Sequence, residues 1–369
     1  MKVHETYETM VGEQLKSAME LSLSTLGASA MGRRLIEFYA FGIEGRMVDH
    51  GLHTSIGGIA LENPLVVAAG WDKKGRAVRG LYHLGFAGTE VGTVPEFGQP
   101  GSVKPRLWTI DESHSVGLNR MGFNSIGSEG VQRELNNHTV IPGVLGINVG
   151  KNKELADKHS PEYHAKVVAR FGDIATYFVF NPSSPNTPGL RENQKKGPMR
   201  DHMQAIMEVA KKPVFVKYAP DISYADFDES VGVVIEEGGA GLVIANTSNS
   251  ERLKAKYGAR WAREAGGLSG DDPEYRAMTS AMIRHAYEEY GNELDIFGVG
   301  GIKDTSSALE KIMAGASALQ IMTAMRPSKG RVAAQINRGI FDYLKREGIA
   351  NIQQLIGAGT KRGVRPQAA

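Results

Sequence analysis

Eight short apolar runs between residues 55 and 325 constrain the fold more than any other feature of this sequence. Each run has the length of a β-strand and is separated from the next by enough chain for a helix. A doubly wound sheet would show a similar alternation, but eight units favour an α/β fold of the (β/α)8 TIM-barrel type. The runs are Leu65–Ala69, Gly88–Val91, Val144–Asn148, Thr176–Phe180, Val214–Lys217, Gly241–Ala245, Ile296–Val299 and Ala318–Met322.

Polar residues and glycines gather at the carboxyl end of almost every run. In a (β/α)8 barrel these ends meet at one face, where functional residues lie. We therefore expect one site built from the residues that end or follow the strands. They are Gly70–Lys73, Gly92–Thr93, Asn148–Asn152, Asn181–Arg191, Lys217, Asn246–Thr247, Gly298–Gly301 and Met322–Thr323.

The loop Asn181–Arg191 is the most informative of these segments. Its three prolines restrict the backbone, and Asn181 and Asn186 offer both hydrogen-bond donors and acceptors to a planar, amide-rich ligand. Ser184 lies between them and is the candidate for proton chemistry. The alternative is an ordinary turn rich in proline, asparagine and serine that follows a strand.

Glycines near the last two strands predict a phosphate site. Gly298–Gly301, together with Gly270, would let backbone N–H groups approach a phosphate closely. The residues alone leave two phosphorylated cofactors open, FMN and pyridoxal phosphate, because Lys217 would serve as a Schiff-base lysine for the second. His50 and His53 are the closest histidine pair and have no third ligand nearby, so no metal site is expected.

The composition excludes several classes of protein. The chain has 369 residues, a net charge of +2 with both signs interspersed, and no cysteine. A nucleic-acid surface is therefore not expected, and disulfides, thiolate metal sites, iron–sulfur clusters and a cysteine nucleophile are excluded. No apolar run reaches the ~20 residues of a membrane-spanning helix, and the amino terminus lacks the apolar region of a signal peptide. We expect an intracellular protein.

Three parts of the chain are predicted: an N-terminal helical extension at residues 1–52, a catalytic barrel at 53–346 and a C-terminal tail at 347–369. The segment Gly357–Ala369 is polar and basic, so we expect a solvated end.

The N-terminal extension is predicted to be a helix pair interrupted at Gly27 and Gly32. One interpretation is a cap on the barrel; the other is an amphipathic pair at a membrane surface, with Arg33, Arg34 and Arg46 towards water. The apolar positions that recur at helical spacing are Val11, Leu15, Met19 and Leu26, then Leu35, Tyr39, Ile43 and Met47.

Eight sequence motifs, in order along residues 55–325, resemble the dihydroorotate dehydrogenase family, and specifically its quinone-linked class. Together they are far more specific than any one alone. They are Ala68–Lys73, Glu90–Thr93, Gln99–Gly101 with Lys104–Arg106, Asn119–Asn124, Gly143–Asn148 with Gly150–Asn152, Asn181–Arg191, Gly266–Gly270 and Gly298–Ile302.

The resemblance implies an FMN enzyme that oxidises dihydroorotate to orotate in pyrimidine biosynthesis. By position, the residues that resemble the flavin-binding set are Ala69, Gly70, Lys73, Thr93, Asn148, Asn181, Lys217, Gly270, Gly301 and Thr323. Those that resemble the substrate-binding set are Lys73, Asn119, Arg120, Met121, Gly122, Phe123, Asn181, Asn186, Asn246 and Thr247.

The resemblance also implies catalytic roles. Ser184 matches the base that removes a proton from C5 of dihydroorotate while a hydride leaves C6 for the flavin. Serine is a weak base at neutral pH, so Thr187 and a water chain are expected to provide a proton path. Lys217 is expected to stabilise negative charge on the reduced flavin.

The chain resembles the quinone-linked class in two features, the serine at position 184 and the N-terminal helical extension. In that class the extension forms a tunnel for quinone at a membrane, and Arg106 matches a quinone-side arginine. The resemblance thus implies a quinone partner and a peripheral position on the cytoplasmic face of a membrane, with a cytoplasmic protein as the alternative. Met322 and Arg326 differ from the family pattern, so a non-quinone acceptor stays open. A catalytically inactive flavin-binding barrel and an FMN oxidoreductase with another planar substrate also stay open.

Overall fold

The structure is a computed structural model that describes residues 16, 18–41, 46–111, 115–156, 159–186 and 189–365. Eight parallel strands close into a barrel in the order β3-β4-β7-β8-β9-β10-β12-β13, with β13 paired to β3. The predicted (β/α)8 fold is therefore confirmed. The strands are β1 Thr54–Ile56, β2 Ile59–Leu61, β3 Leu65–Val67, β4 Gly88–Val94, β5 Leu107–Asp111, β6 Val116–Asn119, β7 Val144–Val149, β8 Tyr177–Phe180, β9 Val214–Tyr218, β10 Gly241–Ile244, β11 Gly267–Ser269, β12 Asp295–Val299 and β13 Ala318–Ile321.

Helices cover the outside of the barrel because each parallel strand needs a crossover to reach the next one. Several helices begin at strong N-caps; Asp304, for example, forms a capping box with Ser307. The α-helices span Ala30–Phe41, Val78–His83, Gly127–Asn136, Ser160–Phe171, Lys196–Val209, Tyr224–Glu236, Glu251–Ala255, Ala259–Arg263, Pro273–Tyr290, Thr305–Met313 and Val332–Glu347; 3-10 helices span His50–Leu52, Leu190–Gln194, Thr323–Met325 and Ile352–Leu355.

Two insertions meet beside the barrel mouth. Strands β5 and β6 follow β4, and β11 follows β10; the three form one antiparallel sheet in the order β11-β6-β5. An apolar cluster supports this sheet, and within it the Trp108 and Trp261 rings pack edge to face. The insertions thus build one wall over the carboxyl ends of the strands.

The predicted helix pair is present among the described residues, with helical structure at 18–28 and at Ala30–Phe41. Its buried side is not the predicted one. Ile36 and Ala40 face the core, whereas Leu35 and Tyr39 are exposed. The first helix of the pair packs closely on the helix Val78–His83, since a Cβ at Gly80 would lie 2.5 Å from the Leu23 carbonyl oxygen. Val11, Leu15 and Ile43 lie outside the described residues.

Arg46 corrects one expectation about this segment. Its guanidinium does not face water: it pairs with Glu62 and stacks on the Tyr82 ring, and its side chain is 9% exposed. The sequence could not show this, because both partners lie far from residue 46 along the chain.

The C-terminal segment was expected to be a solvated end, and its residues from 358 to 365 are exposed or half-buried. It is nevertheless tied to the barrel. The Tyr287 hydroxyl donates to the Gly363 carbonyl, and Arg365 pairs with Asp295 at the amino end of β12. The described part of the tail therefore lies against the amino end of β12.

Candidate active site

A polar cleft lies at the carboxyl ends of the barrel strands. Residues that end or follow seven of the eight barrel strands line its wall, the exception being β7, as the barrel geometry broadly predicts. The polar lining includes three lysines, Lys73, Lys217 and Lys303, and several asparagines. Most of the strand ends expected to form one site therefore meet at this cleft.

A chain of amides forms one side of the cleft. The Asn148 side-chain oxygen accepts hydrogen bonds from the Thr93 hydroxyl at 2.6 Å and from Asn181 Nδ2 at 2.9 Å. The Asn181 oxygen in turn accepts from Asn246 Nδ2 at 3.3 Å and from the Ser183 hydroxyl at 3.1 Å. Because these groups are held by one another, their directions are fixed before any ligand binds.

Ser184 lies on the loop after β8, is 4% exposed and lines the cleft. Its hydroxyl oxygen accepts the backbone N–H of Asn186 at 3.3 Å, which sets the turn. Arg191 holds the base of the loop: it donates to the Ser183 carbonyl and to the Thr247 carbonyl, and pairs with Asp221 at 3.0 Å. The serine is thus fixed relative to the loop after β10.

Lys217 extends from β9 into the cleft and is 5% exposed. Burial lowers the pKa of this lysine, and the charge of Glu90 opposes that shift. Burial likewise raises the pKa of Glu90, opposed first by the charge of Lys217 and then by three side-chain hydrogen bonds. Both groups are buried in the barrel interior, and each opposes the effect of burial on the pKa of the other.

Glycines shape the end of the cleft near β12 and β13. Gly270, Gly300 and Gly301 all have positive φ, and a Cβ at Gly270 would lie 2.1 Å from the Ser115 carbonyl oxygen. Lys303 stands beside them, paired with Asp271, which also pairs with Arg276. Backbone N–H groups and a cation at this position suit a phosphate.

The wall opposite the amide chain carries Lys73 and the segment 119–123. Lys73 Nζ donates to Asn124 Oδ1 at 2.5 Å. Gly122 and Phe123 both have positive φ, and the Gln99 amide donates to both of their carbonyls. Because these hydrogen bonds fix the turn, the buried Phe123 side chain is held at the cleft.

Most of the predicted site residues line this cleft. Asn148 instead lies beneath it, fully buried. Arg120 turns away, because its guanidinium contacts the Pro105 carbonyl and Glu264. Arg106 is also buried elsewhere, where it holds the Pro100 and Ser102 carbonyls. Thr187 lies outside the described residues. The predicted residues that line the cleft are Ala69, Gly70, Lys73, Thr93, Asn119, Met121, Gly122, Phe123, Asn181, Ser184, Asn186, Lys217, Asn246, Thr247, Gly270, Gly301 and Thr323.

Sequence reasoning missed several residues of the site. Glu90 lies within a strand, and Tyr275 lies in the first turn of a helix, where its hydroxyl donates to the Asn246 carbonyl. Neither ends a strand, so the rule that found the others did not apply to them. The further lining residues that were missed are Ser115, Asp271, Lys303 and Gln320.

The residues present fit a phosphorylated planar cofactor with a planar polar ligand beside it. The glycine cradle suits the phosphate, and Lys217 faces the cleft from below. The Asn186 side-chain oxygen is buried without a partner among the described residues and lines the cleft, so it is an acceptor available to a ligand N–H group. No group of three or more metal-ligating side chains occurs within the described ranges.

A closed parallel barrel with a polar cleft at the carboxyl ends of its strands defines an α/β-barrel enzyme architecture. Residues 51–344 match the family model described as dihydroorotate dehydrogenase. The chain belongs to the dihydroorotate dehydrogenase family.

Similar proteins and a solved structure support this family membership. The chain is 38% identical over 310 residues to a Mycobacteroides abscessus protein named dihydroorotate dehydrogenase (quinone), covering 84% of this chain and 86% of the relative. A Parvibaculum lavamentivorans protein of the same name is 36% identical over 304 residues, covering 82% and 85%. The ligand-free dihydroorotate dehydrogenase structure from Eimeria tenella matches with a TM-score of 0.82 and 28% identity, covering 94% of this chain and 98% of that one.

Proposed function

We propose that this protein oxidises dihydroorotate to orotate with bound FMN, in pyrimidine biosynthesis, and passes the electrons to a quinone. The observation that carries the proposal is the presence in one cleft of Ser184, Lys73 and Lys217, together with the amide chain and a glycine cradle. Its relatives are named for the same reaction and the same acceptor. FMN, when bound, supplies the acceptor for the hydride.

The cofactor is proposed to lie between the glycine cradle and Lys217. Gly270, Gly301 and Thr323 would hold the phosphate through backbone groups and a hydroxyl. Thr93 and Asn181 present polar atoms near the barrel axis, over the buried Asn148. Lys217 places positive charge where the ring gains negative charge on reduction. Ala69, Gly70 and Lys73 form the adjoining wall.

The substrate is proposed to lie on the outer side of the cofactor. The asparagines Asn119, Asn186 and Asn246 match an imide ring that needs both donors and acceptors, and Lys73 matches a carboxylate. Thr247 and the turn Met121–Phe123 complete the wall. Ser184 is the proposed base for the C5 proton, and Thr187 the proposed start of the proton path.

The test is anaerobic reduction of the purified yellow protein by dihydroorotate, followed by flavin absorbance. Bleaching is expected in the wild type. Ser184→Ala should stay yellow but reduce about 10²- to 10⁴-fold more slowly, the usual contribution of a general base. Ser306→Ala, an exposed helix serine, is the control and should reduce at the wild-type rate. Unchanged reduction in Ser184→Ala would remove that serine from the mechanism.

The quinone and membrane parts of the proposal rest on the N-terminal helices. They expose Leu21, Met31 and Phe38, each more than half accessible, on the side away from the barrel. Such a face suits an interfacial helix pair at a membrane surface. No helix within the described ranges has the length and apolar character to cross a bilayer. We propose that residues 1–52 attach the protein peripherally to a membrane. The barrel at 53–346 and the tail at 347–369 are separate from this element.

One observation favours a second candidate that keeps the substrate and changes the acceptor. A side cavity next to the cleft is lined by Thr109, Ser115, Thr323 and the half-buried Arg326. A guanidinium there suits a more polar acceptor than a long-chain quinone. After reduction by dihydroorotate, quinone, fumarate and NAD are offered in turn, and the rate of flavin reoxidation decides. Arg106 stays the proposed quinone-side residue, acting through the loop it holds.

A further inference from the structure

The buried Glu90 is the strongest unexplained group near the cleft. It lies within β4, has no exposed surface and does not line the cleft itself. Its carboxylate accepts hydrogen bonds from Asn148 Nδ2 at 2.8 Å, from the Tyr177 hydroxyl at 3.3 Å and from the Gln320 amide. A carboxylate without solvent in a barrel interior is costly, so a site that retains one with three neutral donors needs an explanation.

We propose that Glu90 is a positioning residue of this site: its carboxylate sets the direction of the amide chain from Asn148 to Asn246 and supplies negative charge to the barrel interior that Lys217 shares. The inference rests on the proposed function, since it gives Glu90 a part in holding the same cofactor and substrate. Glu90 acts through other residues and touches neither ligand.

The direction of the amide chain follows from the chemistry of a carboxylate, which only accepts hydrogen bonds. The Asn148 NH2 group must therefore face Glu90, which turns the Asn148 oxygen towards Thr93 and Asn181. The Asn181 NH2 group is then committed to Asn148, which leaves the Asn181 oxygen to accept from Asn246. The orientation of each amide is fixed by its hydrogen bond to the preceding one. The Glu90 charge therefore determines which donors and acceptors face this side of the cleft.

The lysine depends on the same charge. Glu90 is the charged group that acts on Lys217 in the described part of the chain, and Tyr177 is the other titratable group at the carboxylate. Burial alone drives the lysine towards its neutral form. Removal of Glu90 would leave nothing to oppose burial, and the ammonium that faces the cofactor would be lost at a lower pH.

The barrel interior is shaped to bring Tyr177 to this carboxylate. Gly146 lies opposite Glu90 on the neighbouring strand β7, and a Cβ there would lie 2.3 Å from the Tyr177 ring. The missing side chain leaves room for the phenol. The Tyr177 hydroxyl adds a neutral donor without changing the charge, which makes it a matched control for Glu90.

Glu90→Gln removes the charge and preserves the shape. The Gln320 side-chain oxygen is buried without a partner among the described residues, so it can accept from the introduced NH2 group if Gln320 flips. The carbonyl oxygen of the introduced amide is still an acceptor for Asn148. The variant therefore removes the charge and keeps the hydrogen bond from Asn148, while the donation from the Tyr177 hydroxyl is lost and is assessed separately in Tyr177→Phe.

The first measurement is an NMR titration of Lys217 in the purified protein with 13C-labelled lysine ε-carbons, the signal being assigned by its loss in Lys217→Met. In Glu90→Gln the midpoint should move to lower pH. Tyr177→Phe should titrate like the wild type, and Glu90→Asp should largely restore the wild-type midpoint. Equal midpoints in wild type and Glu90→Gln, or an equal shift in Tyr177→Phe, would overturn the proposal.

The second measurement is the midpoint potential of the bound flavin. With a neutral lysine, negative charge on the reduced cofactor is less stabilised. The midpoint potential of Glu90→Gln should therefore fall by about 30 mV for each tenfold decrease in the equilibrium constant for flavin reduction. A higher potential would mean that the lysine keeps its proton without Glu90 and would contradict the inference. A protein that binds no flavin would contradict the proposed function instead, and the lysine titration would still decide the role of Glu90.

A double-mutant cycle covers the case in which Glu90→Gln does not fold. If the orphaned ammonium causes the failure, Glu90→Gln/Lys217→Met should fold and resist urea better than Glu90→Gln alone. Additive effects of the two substitutions on urea resistance would show that the groups do not act on each other.

Discussion

At the scale of single residues, the side-chain oxygen of Asn186 is a buried acceptor that has no partner within the described part of the chain. Asn186→Ala should weaken orotate binding by about 1 kcal/mol, roughly fivefold, because one hydrogen bond to the imide is lost. The dissociation constant is measured from the shift in flavin absorbance as orotate is added. Asn136→Ala, an exposed helix residue, is the control. An unchanged orotate affinity in Asn186→Ala would mean that this oxygen does not meet the ligand.

Residues that end a strand could be predicted from the sequence, because the barrel rule fixes where their side chains go. Ser184, Lys217 and Asn246 were found in this way, and all three line the cleft. Glu90 could not be found, because it lies inside an apolar run and its partners come from three other strands. Arg120 was predicted from its neighbours in the motif, but a local pattern does not show that Glu264 draws its side chain away.

At the scale of elements, the contact between the N-terminal helices and the barrel depends on the absence of a side chain at Gly80. Gly80→Ala should push residues 18–28 outwards, because the new Cβ would lie 2.5 Å from a backbone oxygen. We expect destabilisation of about 1–3 kcal/mol, typical of overpacking, and faster proteolysis within residues 18–41. Urea unfolding and limited proteolysis measure both.

Gly232→Ala is the matched control, since it also lies inside a helix but has open space around its Cβ. It should be neutral or stabilise the protein by up to about 1 kcal/mol, through helix propensity alone. If both variants behave alike, the close approach at Gly80 is not what seats the helices.

The presence of these helices could be predicted from the sequence better than the side of each helix that is buried. The helix pair was expected from periodicity, yet Leu35 and Tyr39 are exposed and Ile36 is buried. This helix is apolar on more than one side, so the hydrophobic pattern alone does not identify the side that packs on the barrel. The side that packs depends on contacts with residues far along the chain, which a local pattern does not show.

At the scale of the whole molecule, buried lysines make stability depend on pH. Burial lowers the pKa of Lys311 from 10.5 to about 7, with the nearby Glu310 opposing the shift. Between these values the unfolded chain holds more protons than the folded one, so the free energy of unfolding rises with pH. The rise is at most about 1.4 kcal/mol per pH unit from this group.

Lys311→Met should therefore flatten the rise in the free energy of unfolding between pH 7 and about pH 9, measured by urea titration at each pH. The smaller slope that remains is expected from Lys217, whose pKa is also lowered by burial. The exposed Lys212→Met is the control and should keep the wild-type slope. The same slope in Lys311→Met would show that the buried lysine does not titrate in this range.

The pairing of β13 with β3 also determines when the barrel can close during synthesis of the chain. The ring of strands cannot close until β13 has left the ribosome, and the contact between Thr54 and Ser317 at this seam spans 263 positions. At about 5–20 residues per second, the edge of β3 therefore waits roughly 10 to 50 seconds for its neighbour. During that interval an unpaired parallel edge is open to other chains. The exposure ends once β13 emerges and pairs with β3.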